Sequence, residues 1–310
     1  MISRHIVRVK VMQQLYAATR KEKTALKQLT TGYHQMVDDV FELFLLNLWY
    51  LTRIARYSKI DKEKRHSKHR PTPADLAFQS HLFDNEIIQS LYNNQGLKTL
   101  FAQYHIGDIG QNDFVKSIYR NFAKTELYQE YVMMTSPSIE NHKQIMKELL
   151  KFLAKDEHFN EIQIDFHASW NEDKSLVVGA MKKTIKAAPV EGDFYKNYLP
   201  KTTAAYEFGN ELLERVYQDD ESLLEMVVPF LQNWDVNRLA IIDLILLKMA
   251  VTELLYFPSI PVKVTLNEYV DISKIYSTDK SKSFINGVLD RMMKQFDEEG
   301  KIEKLGRGLK

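Results

Sequence analysis

Arg4 and Arg8, four residues apart with His5 beside them, are the first side chains whose spacing could do chemistry. On a helix the two arginines share one face, and a guanidinium presents a planar fork of donors that suits phosphate. A second set lies near the C-terminus, where Lys280 and Lys282 precede Phe284 and Asn286. Lysines at a helix start meet phosphate with the help of the helix dipole. An aromatic ring there stacks on an unpaired base or fills core space. The Asn286 amide contacts a base edge or closes a helix contact, and Gly287 beside it permits close approach of a backbone or a ligand. Both sets also read as ordinary surface or packing residues.

Catalytic chemistry finds less support. Asp219-Asp220-Glu221 falls between two helices without partners and reads as a solvated loop. His66 and His69 have a helix-like spacing for metal ligands, but no carboxylate completes the set and the surrounding lysines repel a cation. Gly107-x-x-Gly110 lacks the following Lys and the preceding strand of a phosphate loop. The chain has no cysteine, which excludes disulfides and thiolate metal sites. No catalytic residue, metal or cofactor is therefore expected.

Net charge is +1, but its distribution is polar: residues 1–70 hold 15 Lys+Arg against 6 Asp+Glu, and the rest of the chain is acidic. Such a split is what a protein shows when one face meets phosphate; a solvated basic surface is the alternative. Residues 62–70, the run KEKRHSKHR, form a basic loop that could grip phosphates. The first ten residues lack the apolar run of a secretory signal. The longest apolar stretch, 239–257, is interrupted by Asp243, Lys248 and Glu253. A membrane span tolerates such charges poorly, so a buried core helix and a cytoplasmic protein with no membrane partner are expected.

Scarce Gly and Pro favour long helices. The periodicity predicts helices over 3–26 and 33–57, separated by a break at Thr30-Thr31-Gly32. It then predicts helices over 73–92, 96–104, 113–133, 138–155, 157–166 and 174–186, with a turn at 106–110 and Ser138 as an N-cap. Further helices are expected over 204–217, 222–230 and 237–256. After the prolines at 258 and 261, Thr265-Leu266-Asn267-Glu268 fits a capping box, with Val264 and Tyr269 as a hydrophobic staple. The last helix carries Ile285, Val288, Leu289, Met292, Met293 and Phe296 as one apolar stripe.

Two separated pieces of this pattern resemble the NusB family. The first runs from Arg4-His5-Ile6-Val7-Arg8 to Gln14-Leu15-Tyr16. The second comprises Arg238-Leu239-x-x-x-Asp243, Ala250-x-x-Glu253-Leu254-Leu255, Ile260-Pro261-x-Lys263-Val264, Asn267-Glu268 and Phe284-x-Asn286-Gly287-Val288-Leu289-Asp290. The resemblance implies an all-α, NusB-like helical bundle of two subdomains. It further implies a transcription antitermination and termination factor that binds boxA-type single-stranded RNA together with NusE, a small-subunit ribosomal protein, in an RNA polymerase antitermination complex acting in ribosomal RNA transcription. By likeness, Arg4, His5 and Arg8 form the basic RNA-contacting turn, Phe284 is an aromatic at the RNA surface, and Asp243 lies near the NusE-facing surface. The chain departs from the family pattern at His5 and Ile6, often basic, at Leu244 after Asp243, and at Ser283 before Phe284.

The expected organisation is N-terminal helices over 1–58, an inserted helical region over 59–200, a C-terminal helical core over 201–300 and a flexible tail over 301–310. The expected RNA-binding set is Arg4, His5, Arg8, Lys280, Lys282, Phe284 and Asn286, with Asp243 facing a partner. Two rivals stand beside this reading: a helical protein-interaction module that has lost RNA binding, and an RNA-recruiting accessory domain for ribosomal RNA modification.

Overall fold

The computed structural model describes residues 2–21, 24–109, 112–200, 203–231 and 239–306. Met1, Gly110, Thr202, Asn237, Arg238 and residues 307–310, on which parts of the expectations fall, lie outside the described residues. Every regular element among the described residues is helical, as the all-α reading expects. The chain divides into two compact units, Asp38–Pro200 and Ile2–Val37 with Lys201–Lys310.

The chain opens with α1 (Arg4–Thr19) and α2 (Leu26–His66). Ser3 caps α1, its hydroxyl accepting from the Ile6 amide. The expected break at Thr30-Thr31-Gly32 is absent, and α2 runs through it. Both threonine hydroxyls donate to the Lys27 carbonyl, which satisfies them inside the helix. Gly32 leaves room for the Gln14 side chain, whose Oε1 would lie 2.7 Å from an added Cβ. The basic run expected as a loop is helical as far as His66, and its cations are engaged. Arg65 pairs with Asp61 at 3.0 Å and lies over the Phe78 ring, and Lys68 pairs with Asp75 at 2.7 Å.

In the first unit, α2 is followed by α3 (Pro73–Ala77), α4 (His81–Asp84), α5 (Glu86–Tyr92), α6 (Gln95–Gln103) and α7 (Ile106–Ile109). Then come α8 (Asn112–Phe122), α9 (Glu126–Met133), α10 (Ile139–Lys155), α11 (Glu157–Phe166) and α12 (Trp170–Ala187). The single helix expected over 73–92 is three. Thr72 and Asp75 close a capping box at α3, and Asn85 accepts from the Ile88 amide to start α5. Likewise 113–133 divides where Thr125 caps α9. The expected turn at 106–110 contains one helical turn, and Ser138 caps α10 as expected. From Val40 to Ala55, α2 is buried on nearly every side, which makes it the centre of this unit's core. Tyr50 meets Phe114 and Phe159 edge-on, and Asn47 donates to Gln163 at 2.9 Å.

The second unit holds α1 and the first turns of α2 with α13 (Ala204–Gln218), α14 (Asp220–Val227), α15 (Ile241–Tyr256), α16 (Val262–Tyr276) and α17 (Ser281–Glu298). Helix α15 is its hub, packing on α1, α13, α14, α16 and α17, and every residue from Ile245 to Leu254 is buried. The three charges that interrupt its apolar run are buried, each engaged by a different neighbour, Lys248 and Glu253 in ion pairs and Asp243 through a single hydroxyl with its other oxygen left unsatisfied. Asp243 accepts from Ser281 of α17 at 2.7 Å, Lys248 donates to Asp220 of α14 at 2.5 Å, and Glu253 pairs with Arg8 of α1. A buried charge persists only when paired and hydrogen-bonded, so these contacts fix which helix lies where. Among the described residues no helix is long and apolar enough to cross a membrane.

Two local expectations are corrected in this unit. Helix α16 begins at Val262, ahead of the expected capping box, with Pro261 at its N-cap. Thr265 instead donates to Glu253 at 2.7 Å, Glu268 engages His5 and Arg8, and the intended staple residue Val264 is exposed. The tail expected to fray from residue 301 is docked: Lys304 is buried and donates to the Glu253 and Phe257 carbonyls. A lysine there adds a cation and a further hydrogen bond to each of two carbonyls at the C-terminal end of α15.

Candidate nucleic-acid interface

The first turns of α1 separate the three expected contacts by exposure. Arg4 is exposed, its guanidinium 5.6 Å from the centre of the Phe208 ring. His5 is half-buried, with Nδ1 2.8 Å from a Glu268 oxygen. Arg8 is 1% exposed, and the expectation that it offers its guanidinium to phosphate is corrected. It shares its face with Val7, Val11 and Leu15, all buried, so helical geometry carries it inward. Its Nε and Nη2 donate to the two Glu253 oxygens at 2.8 and 2.7 Å, and Nη1 lies 3.3 Å from Glu268. Burial works against the charge, but the Glu253 hydrogen bond and the nearby acidic groups outweigh it and hold the guanidinium above its ordinary range. Arg8 is thus an internal strut, and Arg4 alone of the three faces water unpaired by an acid.

Glu253 is the centre of this network. It also accepts from the Tyr269 hydroxyl at 3.0 Å and from Thr265. Burial first, then the Glu253 charge, raises the Tyr269 phenol well above its usual range. Burial lowers the Lys304 ammonium, with Glu253 opposing that shift. In the sequence Glu253 stands only as an interruption of the apolar stretch and as part of a family motif, not as a site residue. The available signal was a carboxylate inside an apolar helix, which demands a cationic partner.

At the start of α17 the arrangement is open. Lys280 stands at the N-cap, and Lys280, Lys282 and Asn286 are exposed while Phe284 is half-buried. No acidic residue lies within the first turn of this 18-residue helix; Asp279 precedes it, exposed, and the buried Asp243 carboxylate meets Ser281 from beneath, while Lys280 and Lys282 reach solvent. Ser281 turns inward and donates to Asp243. An added Cβ at Gly287 would meet nothing within 4 Å, so no backbone approaches it, and the open patch continues past Asn286. The stripe opposite is buried through Ile285, Val288, Leu289, Met292 and Phe296.

Asp243, expected to face a partner, is 4% exposed. Its carboxylate holds the start of α17 through Ser281 and so positions Lys280 and Lys282 from beneath. The two cationic turns are not brought together. Ser281 is tied to Asp243 and Arg8 to Glu253; ten residues along α15 place those anchors about 15 Å apart. Arg4 and His5 therefore mark one end of α15, and Lys280 and Lys282 the other.

Comparison with known proteins places this geometry. The model of the NusB family matches residues 181–294. The chain is 39% identical over 105 residues to the transcription antitermination protein NusB of Chloroherpeton thalassium, 34% of this chain and 50% of that protein. It is 37% identical over 111 residues to the protein of the same name from Salinibacter ruber, covering 36% of this chain and 69% of the relative. It is 31% identical over 137 residues to that of Natranaerobius thermophilus, covering 44% and 91%. The chain thus spans half the length of the first of these relatives and most of the third. No solved structure matches.

Proposed function

The chain belongs to the NusB family, and from that membership we propose that its second unit binds boxA-type single-stranded RNA. In this reading it does so together with NusE, within an RNA polymerase antitermination complex that acts in ribosomal RNA transcription. The observation that carries the reading is the solvent-facing start of α17, where Lys280 and Lys282 are exposed beside Phe284, Asn286 and the open face at Gly287. Phosphate oxygens meet the two ammonium groups and the positive helix end, one base lies on the Phe284 ring, and the Asn286 amide reads a base edge. Arg4 contributes a further phosphate contact at the far end of α15. Asp243 serves by holding Ser281, and Arg8 by holding α1 in place.

Fluorescence anisotropy with a labelled boxA-like RNA, with and without NusE, tests the reading. Salt-sensitive binding that NusE strengthens supports it. The second reading, a helical protein-interaction module without RNA binding, is favoured by one observation: Arg8 and His5 are both engaged by acids. Binding of NusE with no RNA binding at low salt would establish that alternative.

A further inference from the structure

The first unit carries a second concentration of positive charge, away from the residues assigned above. A cleft of about 630 Å³ lies among the ends of α2 and α8 and the turn that follows α8, within the size range of ligand clefts. Lys64, Arg65, Lys116, Arg120 and Lys124 line it, against Asp61 and Asp113 alone. Asp61 is already engaged, accepting from Arg65 at 3.0 Å and from the Tyr119 hydroxyl at 3.1 Å. Tyr57 supplies an aromatic wall, with the Lys64 ammonium 5.5 Å from its ring centre.

The spacing of these cations is the informative part. Lys116 and Arg120 stand one turn apart on α8, and Lys124 follows in the turn just past its end, so three like charges share one wall of the cleft. Such a row repels itself and costs the fold a few tenths of a kcal/mol per pair. Three other lysines of this unit do pair with an acid one turn away: Lys143 with Glu140, Lys151 with Glu148 and Lys196 with Asp193. The side chains of Lys116, Arg120 and Lys124 have no ion pair or hydrogen bond among the described residues. Ser117 and Asn121, both exposed, lie between them along the same wall and add neutral hydrogen-bonding groups. A concave, self-repelling row of cations with no internal partner is complementary to a polyanion.

We propose that this cleft binds the phosphodiester backbone of single-stranded RNA without reading its sequence, as a second RNA-contacting surface outside the region that matches the family model. The proposal deepens the RNA-binding reading and rests on it for the class of polyanion. Successive phosphates lie along Lys116, Arg120 and Lys124, and the row gains the counter-charge the chain does not supply. Five cations line the cleft, so the contribution is chiefly nonspecific affinity for phosphate, strongly dependent on salt.

The test uses the full chain, a labelled oligouridine lacking any boxA element, and the variant Lys116→Ala/Arg120→Ala/Lys124→Ala. The substituted side chains hold no ion pair or hydrogen bond among the described residues and repel one another, so the variant should melt no lower than the parent. Wild type should bind oligouridine, and the triple variant should bind it more weakly, with a salt slope shallower by about 2, from three phosphate contacts at about 0.7 each. Equal affinity and slope for the two proteins would overturn the proposal, as would failure of wild type to bind oligouridine at low salt. The boxA reading fails separately, if boxA-like RNA binds no more tightly than oligouridine.

Discussion

Arg8 of α1 and Glu253 of α15 form a two-pronged buried pair, with 2.8 and 2.7 Å contacts between residues 245 apart in sequence. Removing one partner of such a pair leaves the other charge buried and uncompensated, which costs about 3–5 kcal/mol. Arg8→Ala and Glu253→Ala should each lower the stability of the second unit by that amount in denaturant titrations. Arg8→Lys should recover part of it, since an ammonium cannot reproduce the planar fork. A loss below about 1 kcal/mol, the range of surface pairs, would contradict the buried network.

The link between Asp243 and Ser281 has a smaller but separable effect. Ser281→Ala removes the donor and leaves a buried carboxylate oxygen without it, at a cost of about 1–3 kcal/mol. Because Ser281 opens α17, the same substitution should also weaken RNA binding through displaced Lys280 and Lys282. Calorimetry and anisotropy on one preparation measure both effects.

Two glycines should respond in opposite directions. At Gly209 of α13 an added Cβ would lie 2.3 Å from Val7 Cγ1 and 2.1 Å from the Tyr33 hydroxyl. Gly209→Ala should therefore destabilise by about 1–3 kcal/mol, the usual cost of overpacking. At Gly287 an added Cβ meets open space, so Gly287→Ala should stabilise α17 by up to about 1 kcal/mol. Thermal melts of the two variants would show whether the close approach lies at α13 rather than α17.

Much of the second unit was legible in the sequence because a 3.6-residue period reports which face of a helix is buried. The α17 stripe and the buried α15 followed from it. Arg8 defeated that reasoning: the period placed it on the buried face, but its acceptor lies far along the chain, and only the fold brings Glu253 to it. Asp243 was misplaced for the same reason, since its partner Ser281 belongs to another helix. In the first unit the missed helix ends fell at Asn85 and Thr125, caps that resemble ordinary polar positions when no Gly or Pro accompanies them. The cleft at Lys116, Arg120 and Lys124 has no signal of its own in the sequence, because its other wall, Tyr57 to Arg65, comes from α2, far away along the chain.

The first unit should lose stability in mild acid through His142. Burial lowers the pKa of this imidazole below its ordinary 6.5, with the nearby Glu86 opposing and His81 adding to the shift. Its Nδ1 lies 2.8 Å from the Tyr131 hydroxyl. The unfolded chain therefore takes up the proton at higher pH than the folded one, so this contribution is full above about 6.5 and declines as pH falls below it. His142→Gln should flatten that part of the pH profile of the denaturation midpoint. A profile identical to wild type would contradict the assignment.

The central claim, that the start of α17 meets RNA phosphates, is tested most directly by a salt titration of boxA-like RNA binding to wild type and to Lys280→Ala/Lys282→Ala. Two lost phosphate contacts should make the logarithmic salt slope shallower by about 1.4 and weaken binding at low salt. A double variant with the affinity and slope of wild type would contradict the account.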